Sequence, residues 1–176
     1  MGFLRLVLSV CATLLLTGCP FGATEPSSVS EETKTGRAVY FSGMDISASF
    51  MNTRHFNDSL EFLAHYIYGH LHGYGGLEVP GALFVGSIGG VKADEPKTFY
   101  PIQTFQHRSI KEIHQKFKEI FPKNVKNPFT DYDAFFKQIA VFVRSKRFVL
   151  KPITIVMISD GVPDAPKKNG KHDYRS

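Results

Sequence analysis

Apolar residues along this chain alternate between short dense runs and longer stretches with helical spacing. Ala38 to Met44 (AVYFSGM) is β-branched and aromatic, is bounded by Gly and Asp, and predicts a strand. From Asn57 to Leu71 the period changes. Phe56, Leu60, Leu63, Ala64, Ile67 and Leu71 fall on one helical face, with Asn57 or Asp58 as N-cap and Gly73, Gly75 and Gly76 ending the helix. Ala82 to Ile88 (ALFVGSI) predicts a second strand, stopped by Gly89-Gly90. Thr98 to Thr104 predicts a third, which Pro101 places at a sheet edge. Ser109 and Glu112 form a capping box for a helix with Ile110, Ile113, Phe117 and Ile120 on one face, stopped by Pro122. Tyr132 to Lys146 predicts another helix, with Phe135, Phe136, Ile139, Ala140 and Val143 inward. Ile153 to Ile158 (ITIVMI) is a continuous apolar run, the pattern of a strand covered on both faces. Strands alternating with helices in this order predict an α/β fold, an open, mostly parallel sheet with helices on both faces. Ligands of such sheets bind outside the carboxyl ends of the strands.

The residues that follow two of the predicted strands carry the candidate chemistry. The first strand runs into Asp45-Ile46-Ser47-Ala48-Ser49 and the last into Ser159-Asp160-Gly161. Asp, Ser and Ser at alternate positions turn three oxygens to one side of an extended segment. Carboxylate, hydroxyl and water oxygens are the ligands that hard divalent cations take. This combination resembles the von Willebrand factor A domain and its metal-ion-dependent adhesion site. That site has D-x-S-x-S after the first strand, a Thr in a later loop, and an Asp, often followed by Gly, after the fourth strand. Thr130, in Pro128-Phe129-Thr130-Asp131, stands where the family places its Thr, although Asn127-Pro128-Phe129 replaces the frequent Gly-rich lead-in. The resemblance covers about Arg37 to Pro166 and implies a Rossmann-like fold. It also implies a site for Mg2+ (or Mn2+ or Ca2+) in which Ser47, Ser49 and Thr130 supply hydroxyls and Asp45 and Asp160 bind directly or through water. In the family a carboxylate of a partner protein typically fills the open coordination position.

The family's sheet usually continues for two more strand–helix units past the strand that ends in the second Asp. Here 16 residues follow Asp160, and they are mostly polar. The expectation is a domain over residues 37–176 that is C-terminally truncated, either as a gene product or fragment or because another chain supplies the missing edge. Ile153 to Ile158 should then pair with the Ala38 to Met44 strand on one side only.

Upstream of the domain, Arg5 is the sole charge in the first 24 residues, and Leu6 to Leu16 is apolar apart from Ser9 and Thr13. That run is short for a membrane span and reads as a secretory signal. Leu16-Thr17-Gly18-Cys19 resembles the bacterial lipobox. The resemblance implies cleavage of the signal, residues 1–18, before Cys19. It also implies acylation of Cys19 and a lipid-anchored, extracytoplasmic position on a bacterial membrane. Residues 19–36, polar and rich in Ser, Thr and Glu, read as a flexible tether. Cys11 would leave with the signal. With Cys19 a thioether, the mature chain has neither thiol nor disulfide, which excludes thiol catalysis.

Composition narrows the remaining classes. The length, 176 residues, suits one domain, and 43% hydrophobic content excludes wholesale disorder. The formal charge of +5 is scattered and does not argue for nucleic acid. Val85 stands where a G-x-S-x-G nucleophile elbow around Ser87 needs Gly. His65, His70 and His72 read as exposed side chains near a helix end, where the dipole favours them. No nucleophile–base pair is visible, so the reading is a membrane-anchored, metal-dependent protein-interaction module rather than an enzyme. Two alternatives stand beside it: an inactive truncated remnant, and a metal-dependent hydrolase with His55 or Asp164 as general base.

Overall fold

The computed structural model describes residues 36–92, 95–123 and 127–162, and the backbone of a short hairpin near the C-terminus. The predicted signal peptide and residues 19–35 of the tether, Cys19 included, lie outside the described residues, as does Asp164. In chain order the elements are β1 (Val39–Met44), α1 (Ala48–Met51), α2 (His55–His72), β2 (Ala82–Ser87), β3 (Gly89–Gly90), β4 (Tyr100–Pro101), α3 (Ile110–Ile120), β5 (Phe129–Thr130), α4 (Tyr132–Ser145), β6 (Ile153–Ile158), β7 (Lys167–Lys168) and β8 (Lys171–His172).

The main sheet has four strands in the order β4-β2-β1-β6. β1 pairs in parallel with β2 and with β6, while β4 runs antiparallel to β2. The sheet is therefore mixed and mostly parallel, as the strand–helix alternation predicts, and is compatible with a Rossmann-like fold. Side chains alternate across it. Met44, Leu83 and Val85 join a core with Leu60, Leu63 and Ile67 of α2 and Ile113 and Phe117 of α3. Val39 and Phe41 join a second core with Phe135, Ile139 and Val143 of α4. Helices thus cover both faces. Gly43 belongs to the second face, and a Cβ there would lie 2.6 Å from the Phe135 ring. Its bare backbone lets α4 sit directly against the end of β1.

Several local expectations need correction. His70 is buried, not exposed, with its ring Nδ1 2.7 Å from the Glu78 carbonyl oxygen. The α2 helix starts at His55, not at Asn57 or Asp58, and its N-cap Arg54 makes no side-chain capping bond. The preceding single turn α1 delivers the chain already turned, and Asp58 instead sits in the first turn, where its charge suits the helix dipole. Of Thr98 to Thr104 only Tyr100–Pro101 is strand, and Ile102–Thr104 is a 3-10 turn. The Phe99 ring leaves the sheet plane to pack on Phe41, Phe135 and Phe142. Phe136 is 42% exposed and Ala140 is exposed, so the inward face of α4 is Ala134, Phe135, Ile139 and Val143. Among the described residues β6 has β1 as its sheet neighbour, on one side only. It is not covered on both faces: Ile153 is 38% and Met157 44% exposed. No helix among the described residues is long and apolar enough to cross a membrane.

Candidate metal centre

Parallel pairing decides which ends of the chain meet. Met44 lies opposite Ile158, and the Asp45 N–H donates to the Ile158 carbonyl at 2.9 Å. Asp45 and the Ser159-Asp160-Gly161 turn therefore leave the sheet at the same, carboxyl edge.

Asp45 is fully buried. Its Oδ1 accepts the Ser47 N–H at 2.8 Å, which folds the D-x-S-x-S segment back over the carboxylate. Ser47 is extended (φ −63°, ψ 151°) and caps α1, its Oγ accepting the Phe50 N–H at 3.5 Å. The Ser47 and Ser49 hydroxyls are 3.0 Å apart. Thr130 Oγ1 approaches both carboxylate oxygens, at 3.5 and 3.4 Å. Ser159 Oγ donates to Oδ2 at 2.7 Å. Two oxygen groups thus lie at this edge, Asp45 with Thr130 and Ser159 and the Ser47–Ser49 hydroxyl pair, joined by the Ser47 backbone N–H; Asp45 is the buried end and Ser49 the exposed end. Asp160 differs. Its side chain is exposed, and Oδ1 accepts the Val162 N–H at 3.0 Å across Gly161, which sits at φ +78°.

Three further elements hold this arrangement. Thr130 ends β5, and Asp131 caps α4 by accepting the Ala134 N–H at 2.9 Å. β5 pairs with β3, matching Gly89 with Thr130. A Cβ on Gly89 would lie 2.8 Å from the Phe129 carbonyl oxygen and 2.9 Å from the Ser47 nitrogen. Only a glycine lets this backbone approach the D-x-S-x-S loop so closely. Asn127 is buried; its Nδ2 donates to the Ile46 carbonyl at 3.0 Å and its own carbonyl accepts the Ala48 N–H at 2.9 Å. The Asn127 amide thus pins the loop.

A buried carboxylate needs compensation. Among the described residues the hydrogen-bond partners of Asp45 are neutral donors, and none of the ion pairs there involves it. Nor do the described residues contain a group of three or more His, Cys, Asp and Glu side chains placed to hold a metal. A cation at this edge would therefore be held largely by hydroxyl and water oxygens around Asp45. That donor chemistry suits a hard ion such as Mg2+, which keeps several waters. Asp45, Ser47, Ser49 and Thr130 are the residues that would hold it, with Asp160 within one residue of Ser159 in the chain. His55 stands apart, paired at the helix surface with Asp58 at 4.0 Å.

Sequence reasoning passed over Ser159, Tyr132 and Gly89. The first could have been found by laying the two predicted parallel strands in register, which sets Ser159 opposite Asp45. Tyr132 and Gly89 depend on how α4 and the β3–β5 pair dock, which no local pattern carries. No family model, curated protein or solved structure matches this chain.

Proposed function

We propose that this chain is a protein-interaction module of the von Willebrand factor A type. It is anchored through acylated Cys19 in an extracytoplasmic position on a bacterial membrane. A divalent cation held by Asp45, Ser47, Ser49 and Thr130, with Asp160 contributing directly or through water, takes a carboxylate from a partner protein. The observation that carries the reading is the buried Asp45 carboxylate. It has neutral hydrogen-bond donors and two neighbouring serine hydroxyls, at the sheet edge where α/β folds bind ligands. The cation would supply positive charge for a partner carboxylate, and its charge would dominate the local field. The protein's part is to fix the oxygens that hold it.

The test is capture of partner proteins from solubilised envelope by the full chain, with Mg2+ and with a chelator, and beside it the Asp45→Ala variant. Retention that needs both Mg2+ and Asp45 supports the reading; retention indifferent to either contradicts it. The anchor is tested separately. The membrane-extracted protein should carry an acylated N-terminal Cys19, and Cys19→Ser should block processing or release the chain. An unmodified soluble mature form would contradict the anchor.

A further inference from the structure

Ser159 and Tyr132 stand outside the five residues named for the cation site, yet they make the shortest side-chain contacts in the cluster. Ser159 Oγ lies 2.7 Å from Asp45 Oδ2, 2.6 Å from the Tyr132 hydroxyl oxygen and 3.0 Å from the Gly161 nitrogen. Proton counting fixes the direction of these bonds. A serine hydroxyl has one proton and two lone pairs. A carboxylate only accepts, so the serine proton goes to Asp45. The Gly161 N–H only donates, so it takes one lone pair. Tyr132 must then donate its phenol proton to the other. The result is a one-way chain, Tyr132 O–H to Ser159 Oγ, Ser159 O–H to Asp45 Oδ2. Each link polarises the next. With the Ser47 N–H on Oδ1, it clamps both carboxylate oxygens and fixes the plane of the group.

The chain also links three elements. Asp45 follows β1, Ser159 follows β6 and Tyr132 opens α4. Asp160, the family's own residue at this strand end, turns instead to the Val162 N–H. Its neighbour Ser159, just past β6, is the side chain that reaches Asp45.

We propose that Ser159 and Tyr132 are positioning residues for Asp45, a hydroxyl–phenol pair that orients the carboxylate toward a divalent cation. The inference rests on the metal reading above. Outer hydrogen-bond partners of metal ligands typically contribute about 10- to 100-fold in metal affinity. Ser159→Ala should therefore weaken Mg2+ binding by about tenfold or more, and Ser159→Thr, which keeps the hydroxyl, should restore it. Tyr132→Phe should cause a smaller loss.

The experiment is calorimetric titration of the full chain with Mg2+, for the wild type, Asp45→Ala, Ser159→Ala, Ser159→Thr and Tyr132→Phe. A second readout is independent of stability. The chain has no Trp and seven Tyr, so Tb3+ emission excited through tyrosine reports a nearby phenol. Emission that Mg2+ displaces in the wild type, and that falls sharply in Tyr132→Phe while Tb3+ still binds, places Tyr132 beside the ion. Two results overturn the inference alone: wild-type affinity in Ser159→Ala alongside loss in Asp45→Ala, or failure of Ser159→Thr to rescue. A wild type that binds neither ion overturns the metal reading and this inference together.

Discussion

Asp45 is a carboxylate with no solvent-exposed surface, held by a backbone N–H, a threonine and a serine. Its position depends on residues that carry no charge. Gly89 is the sharpest case, because the atoms a Cβ would meet are backbone, the Phe129 oxygen at 2.8 Å and the Ser47 nitrogen at 2.9 Å. Backbone cannot step aside as a side-chain tip can. Gly89→Ala should therefore cost about 1–3 kcal/mol, the range for overpacking, and should weaken Mg2+ binding as well by displacing Ser47. Urea unfolding paired with Mg2+ titration checks both. Gly43→Ala meets the Phe135 ring at 2.6 Å, on the α4 face of β1, and should lower stability with a smaller effect on the ion. Asp45, Ser47 and Ser49 could be picked out as candidates from sequence because their spacing and placement after a predicted strand are local, and Thr130 through the resemblance alone. Ser159 needed the register of two strands far apart in the chain, and Tyr132 the docking of α4.

At the scale of elements, β1, β2, β6 and the three long helices were legible because each carries its own period and punctuation. The failures fall where a pattern has two physical solutions. Thr98 to Thr104 has the aromatic content of a strand, but Pro101 ends the pairing after two residues and a 3-10 turn follows, while Phe99 packs among Phe41, Phe135 and Phe142. The β7–β8 hairpin was passed over despite Asn169-Gly170, a strong hairpin signal, because the flanking residues are polar. The capping box of α3 is present as expected: Ser109 Oγ accepts the Glu112 N–H, and Glu112 accepts the Ser109 N–H at 2.8 Å. The Ser109 backbone N–H, then its hydroxyl, hold the Glu112 carboxyl below its ordinary 4.5. A depressed folded value means that this stabilisation is complete above the unfolded value and is lost as pH falls through the folded one. The stability gap between wild type and Glu112→Gln should thus be widest near neutral pH and close below 4.5, in urea midpoints taken across that range. Among the described residues β6 pairs with β1 alone, which leaves alternate amides of that strand without a sheet partner there. Those amides should exchange hydrogen faster than the amides of β1, which is paired on both sides. Uniform protection along β6 would show that its outer edge is covered in solution.

At the scale of the molecule, the sheet carries one helix layer of α2 and α3 and another of α4, and the candidate site lies at its carboxyl edge, where β1 and β6 end. Binding of an ion to Asp45 would couple β1, β5 and β6, because Thr130 and Ser159 reach the same carboxylate. An ion that binds the native state alone stabilises it by about 2.7 kcal/mol at one hundred times its dissociation constant. For a chain of this size that is roughly 5–10 °C in Tm. The most direct test is thermal unfolding of the full chain with and without Mg2+, for the wild type and Asp45→Ala. The account predicts a Mg2+-dependent rise in wild-type Tm of that order, with Asp45→Ala folded but unresponsive. Equal wild-type Tm values with and without Mg2+, or an Asp45→Ala variant that responds as the wild type does, would contradict it.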